Sequence, residues 1–239
     1  GSVAFSNTAV ISIPTIGSAT PYPSTNTVSG LGGTITNLSV RLRGLTHTWT
    51  SDIDVLLVSP SGQGLRLMER CGLGSVANIS FNFTNSGAGL MPTNNSLTST
   101  TYLPTTYPTN AIYPAPAPAG PYLTNLAGFY GGSPNGNWLL YVRDHGAGDS
   151  GVFSNGWVLN IQTELTGPQA PFVTGLADQT IGVSSNVGPL AFTIGDYDSP
   201  LSNLTVTAFS SNTNIVPSSG IVLGGSGSNR TVTVTPTAT

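Results

Sequence analysis

The chain has 239 residues, a formal net charge of −3 and only 6% charged residues, where ordinary soluble domains carry roughly 25%. Its basic residues are all arginines, scattered at Arg41, Arg43, Arg66, Arg70, Arg143 and Arg230, so it lacks the clustered positive footprint that nucleic-acid binding requires. No apolar run approaches the ~18 residues needed to span a membrane.

What replaces the charges is Ser, Thr and Asn, together with 30 Gly and 18 Pro. Ser, Thr and Asn hydrogen-bond nearby backbone in non-helical conformations, and Gly and Pro interrupt helical patterns. The same residues suit turns and exposed strand faces. The fold class expected is therefore all-β. Cys71 is the single cysteine, which rules out an intrachain disulfide and reads as a small buried hydrophobe. A disulfide-free chain of this composition fits a secreted or surface-exposed bacterial protein.

In chain order, the first clear strand is Asp52-Ile53-Asp54-Val55-Leu56-Leu57-Val58, with Ile53, Val55 and Leu57 on one face. It stops at Ser59-Pro60-Ser61-Gly62, a turn in which Pro presets φ. Residues 92–122 are rich in Pro, Thr, Asn and Tyr and include Pro114-Ala115-Pro116-Ala117-Pro118. Such Pro spacing excludes a central strand, and the tyrosines predict a surface loop packed across one end of the first module. Trp138, Leu140 and Val142 share one strand face, and Trp157, Leu159 and Ile161 share another. The Gly-rich turn between them, 144–151, predicts a hairpin with a long loop. A boundary falls at 165–171. Beyond it, short segments such as Leu204-Thr205-Val206-Thr207-Ala208 and Thr231-Val232-Thr233-Val234 alternate between turn signals, as in a small sandwich.

The run from Leu45-Thr46-His47-Thr48-Trp49 through Asp52-Ile53-Asp54-Val55 to Ser59-Pro60-Ser61-Gly62 resembles the P-domain (homo B domain) that follows the catalytic domain of kexin- and furin-like subtilases. Phe129-Tyr130-Gly131, Asn135-Gly136-Asn137-Trp138 and Gly148-Asp149-Ser150-Gly151 with Trp157 match that family's closing pattern. The likeness spans roughly residues 3–164. It implies a jelly-roll-like β-sandwich that stabilises or targets a neighbouring domain of its parent chain. The subtilase domain itself is not among these residues. Residues 172–239, after the linker 165–171, are similar to Ig-like or cadherin-like repeats of bacterial surface proteins, on Asp178-Gln179-Thr180-Ile181 and Ile194-Gly195-Asp196-Tyr197-Asp198.

For chemistry, a Ser–His–Asp site needs a base within reach of its nucleophile. Only His47, expected to hydrogen-bond structurally, and His145, expected to be solvated in its Gly-rich loop, supply imidazoles. Asp52 and Asp54, about 7 Å apart along one strand, have a spacing open to an acid–base pair, but the sequence places no aromatic sugar cleft around them. Calcium, which takes 6–8 oxygen ligands, is the cofactor expected if Asp52 and Asp54 meet Asp144 and Asp149; plain turn chemistry is the other reading. Asp178, Asp196 and Asp198 form a second, smaller acidic group. Tyr102, Tyr107, Tyr113 and Tyr122 are the candidate contact residues for a surface glycan or protein, as in an adhesin-type module. The functions expected are a non-catalytic accessory fragment with an Ig-like spacer, such a binding module, or the C-terminal part of a subtilisin-like serine protease.

Overall fold

The computed structural model describes residues 1–107, 111–165, 167–168, 170–182 and 185–237. Thr166 and Gln169 of the expected linker, and 108–110 of the Pro/Tyr-rich loop, lie outside the described residues. The chain divides into two compact units, Gly1–Glu164 and Leu165–Thr239.

The first unit contains β1 (Ser2–Asn7), β2 (Ile11–Ile13), β3 (Gly17–Ser18), β4 (Ser24–Val28), β5 (Thr34–His47), β6 (Ile53–Val58), β7 (Gly64–Glu69), β8 (Val76–Phe83), β9 (Thr101–Tyr102), β10 (Thr105–Thr106), β11 (Gly136–Asp144), β12 (Gly151–Phe153) and β13 (Trp157–Glu164). They form two sheets. One runs β1-β13-β5-β12-β2, with β8 also on β5 and β9 on β8. The other runs β10-β7-β6-β11-β3, with β4 also on β11. The alternation read from the sequence faces each sheet toward a shared core. Ile53, Val55, Leu57, Trp138, Leu140 and Val142 of one sheet join Leu38, Val40, Leu42, Trp157, Leu159 and Ile161 of the other in a single buried cluster. Both tryptophans are fully buried and both indole N–H groups are satisfied, Trp138 by Pro134 O at 2.9 Å and Trp157 by Ser24 Oγ at 3.0 Å.

The expected hairpin between the two Trp-led strands does not form. β11 and β13 lie in different sheets, and the chain between them crosses from one sheet to the other by way of β12. Two strands that each bury a Trp face can meet that demand from opposite walls of one core. Periodicity alone does not tell this arrangement from a hairpin.

Leu56 and Val58 point away from the core yet are buried, because a second apolar cluster covers the outer face of β6 and β11. The cover is the Pro/Tyr-rich loop. It lies on a sheet face rather than across one end of the module. Hydroxyls of Tyr22, Tyr141 and Tyr122 donate to the carbonyls of Pro114, Pro116 and Pro118 at 3.1, 3.3 and 2.7 Å. Proline has no N–H but keeps its carbonyl acceptor, so every second residue of the Pro-Ala-Pro run binds a tyrosine. Arg66 donates to Ala111 O at 3.2 Å, and Arg143 donates to Ile112 O, which pins the same strap further along.

The second unit contains β14 (Phe172–Thr174), β15 (Val187–Gly195), β16 (Ile221–Ser226) and β17 (Asn229–Val234), ordered β14-β15-β17-β16 in one antiparallel sheet. Gly227-Ser228 closes the β16–β17 hairpin. The alternating segment at Leu204, Val206 and Ala208 carries no ladder. Among the described residues, Phe192 and Ile194 are the only large apolar side chains buried in this unit.

Candidate functional site

The polar residues singled out in the sequence meet at one end of the first sandwich, where β5 ends, β6 begins and β11 ends. His47 is the last residue of β5 and Asp144 the last of β11, so they arrive from different sheets. His47 Nε2 lies 3.1 Å from Asp144 Oδ2, and both side chains are fully buried. The Trp49 backbone holds the other ring nitrogen, with both its N–H and its carbonyl oxygen 3.1 Å from His47 Nδ1. Asp144 Oδ1 accepts from the Gly146 N–H at 2.8 Å. Burial pushes the Asp144 carboxyl above its ordinary range, against the opposing pull of the Gly146 N–H and of His47. The outcome is a hydrogen-bonded tie across the end of the sandwich.

A second group sits beside it. β6 and β11 are neighbours, with Asp54 opposite Arg143. The Arg143 Nε is 3.2 Å from Asp54 Oδ2, and His145 Nδ1 is 3.1 Å from the same oxygen. Asp54 is fully buried, and among the described residues its Oδ1 has no hydrogen-bond partner. Burial pushes the Asp54 carboxyl up to about 7, and Arg143 offsets only part of that. A carboxylate removed from water is disfavoured unless neighbours replace the lost hydration. Burial also holds His145 below its ordinary value. His145 is thus not the solvated loop residue expected: its side chain is 7% exposed and lies between Asp54 and Asp52, with Nε2 3.8 Å from Asp52 Oδ1.

Asp52 does not share a strand with Asp54. It closes a single 3-10 turn, Thr50–Asp52, just before β6. Its carbonyl accepts the His145 N–H at 2.9 Å. The approach there is close: a Cβ on Gly146 would stand 1.8 Å from Asp52 Oδ2, so an added methyl would have to move the Asp52 carboxylate away from His145. Asp149 stands apart on an exposed hydrogen bond from Thr48 Oγ1 at 2.7 Å.

The four aspartates therefore converge only in part, and what they face is imidazole and guanidinium rather than open space. Among the described residues, no group of three or more His, Cys, Asp or Glu side chains is placed to hold a metal ion. The set does not fit a calcium cage of 6–8 oxygens, because a cation at Asp54 would have to displace His145 or Arg143. In the second unit, Asp196 caps its own turn, accepting the N–H groups of Asp198 and Ser199 at 3.0 and 3.1 Å. Those bonds lower its carboxyl.

The candidate contact tyrosines are largely spent on packing. Tyr102 and Tyr113 are buried, so their rings offer no outer surface, because apolar faces stay wherever the fold removes most of their area from water. Tyr107, half-buried, donates to Met91 O at 2.7 Å. Tyr122, also half-buried, lies under the Arg66 guanidinium at 4.9 Å. Cys71 is buried as expected, its Sγ 3.3 Å from Glu69 O, and burial pushes its thiol up to about 12. Arg143 was not singled out by sequence, although its position next to Asp144 and off the core-facing register was the available signal.

Comparison with family models, with curated proteins and with solved structures finds no match. Among the described residues, no helix is long and apolar enough to cross a membrane.

Proposed function

We propose that this chain is a non-catalytic accessory fragment of a larger secreted or surface bacterial protein, in which the first unit stabilises or targets a neighbouring domain of the parent chain and the second serves as a spacer. One observation carries the reading: both imidazoles are committed to buried carboxylates, His47 to Asp144 and His145 to Asp54. General acid–base work needs a group within reach of a substrate proton, and these side chains face each other inside the sandwich wall. The P-domain-like motifs support the accessory role and leave a subtilase parent chain as the second reading. A proteolytic parent would carry its serine nucleophile elsewhere.

The test is a hydrolysis panel on the purified chain, using casein, p-nitrophenyl esters and neutral polysaccharides. No turnover above buffer is expected. Turnover lost in His145→Ala, with folding retained, would overturn the proposal. Calcium is tested alongside by melting the chain in EDTA and in millimolar calcium. A cation bound only to the folded state at 100 times its dissociation constant adds about 2.7 kcal/mol, so a rise of several degrees abolished by Asp52→Asn would restore it to the site.

A further inference from the structure

A different part of the first unit has the chemistry of a ligand site. The turn at 59–63, which joins β6 to β7, and the loop at 130–135, which leads into β11, stand as two walls of a hollow of about 370 Å³. That is within the ~300–1,000 Å³ range of small-molecule sites. No charged side chain lines it. Its lining combines the hydroxyls of Ser59, Ser61 and Ser133, the amides of Gln63 and Asn135, and aromatic rings with Tyr130 at the rim.

The hollow is held open by bonds that do not depend on a ligand. Tyr130 is 36% exposed, yet its hydroxyl is fixed on both sides, donating to Asn37 Oδ1 at 3.2 Å and accepting from Asn85 Nδ2 at 3.0 Å. A tyrosine tied down at its tip presents its ring as a fixed platform. The loop is stitched to β5 by Gly131 N–H to Ile35 O at 2.9 Å and Ile35 N–H to Gly132 O at 3.0 Å. Asn135 clamps the Leu31 backbone through both its oxygen and its amide. Where the walls meet, a Cβ on Gly136 would stand 2.7 Å from Pro60 Cβ, and Gly136 adopts φ +123°, so glycine alone permits that contact. Preorganisation of this kind lowers the entropy lost on binding.

We propose that this hollow binds a neutral saccharide. A sugar presents an apolar C–H face that stacks on an aromatic platform, and hydroxyls that exchange hydrogen bonds with the Ser133 hydroxyl and the Gln63 amide, while Ser59 and Ser61, bonded to each other at 2.9 Å, and Asn135, held on Leu31, shape the wall. The absence of charged lining side chains sets it against anionic ligands, whose desolvation would go uncompensated. The proposal adds a ligand to the targeting role proposed above. It is independent of the buried ionic cluster, so either can fail alone.

The test is calorimetric titration of the full chain with cellohexaose, chitohexaose and mannohexaose, with hexagalacturonate as the anionic comparison. At least one neutral hexasaccharide should bind with a dissociation constant below about 1 mM. Tyr130→Ala should weaken that binding by about tenfold or more, and Gln63→Ala by a smaller factor, with melting of the first unit retained in both. No binding by any neutral probe overturns the proposal, as does preference for hexagalacturonate, or binding that both variants leave unchanged. A null titration alongside an absence of hydrolysis would remove the saccharide and leave the accessory reading standing.

Discussion

At the scale of single residues, the polar end of the first sandwich is a stability device with two opposed pH responses. Asp54 has an ordinary value of 3.8 and is pushed up to about 7 in the folded chain. The folded state therefore binds this proton more tightly than the unfolded state. The resulting stabilisation is full below about pH 4 and is lost as pH rises to about 7. His145 is lowered from 6.5, so its share has the opposite sign: it is present above that value and lost as pH falls through the depressed one. Asp54→Asn removes the first response without changing the side-chain shape. Urea unfolding at pH 5 and pH 8 should show a smaller loss of stability on the alkaline side for the variant than for the wild type. An equal loss in both would show that Asp54 is ionised throughout. Gly146→Ala should displace the Asp52 carboxylate from His145 and lower the first unit's melting temperature modestly; thermal melts of the variant check this.

At the scale of elements, strand positions were legible wherever one face alone meets the core. Ile53, Val55 and Leu57, and the two Trp-led strands, fall in the structure as the period-2 pattern places them. Trp138→Ala should accordingly cost about 3–5 kcal/mol. Pairing was less legible. β11 pairs with β6, β4 and β3 rather than with the neighbouring Trp-led strand, because the connection 145–156, with β12 in it, suits a crossing between sheets as well as a hairpin. The packing of the tyrosines is hidden in the sequence for a related reason: in Pro114-Ala115-Pro116-Ala117-Pro118 no alternation shows which side the strap buries, and the second apolar cluster shows only with Leu56 and Val58 beneath it. In the ionic cluster, sequence supplied the aspartates but not their partners, since imidazole–carboxylate contacts depend on strand ends far apart in the chain. The segment 204–210 shows the converse, a strand pattern without a ladder. Its amides should exchange with solvent far faster than those of β17, as hydrogen-exchange mass spectrometry would reveal. Phe209 is 89% exposed, so Phe209→Ser should change stability by no more than about 0.5 kcal/mol.

At the scale of the whole molecule, the two units differ sharply in how much apolar structure each buries. The first has a continuous core between two sheets, while the second rests on one sheet and little more than Phe192 and Ile194. Burial scales with domain size and sets stability, so calorimetry should resolve two transitions with the second unit unfolding first. His47 and Asp144 join the two sheets through a buried, hydrogen-bonded contact, and the first unit's stability depends on it. The measurement that tests it most directly is calorimetric unfolding of Asp144→Asn beside the wild type. Breaking a buried, hydrogen-bonded pair costs about 3 kcal/mol or more, which for a domain of this size lowers the first unit's transition by about 6–12 °C. That drop is expected, with the second unit's transition unmoved. A first-unit transition that stays where it was would contradict it, and would mean that this buried histidine and aspartate are held together for something other than the fold.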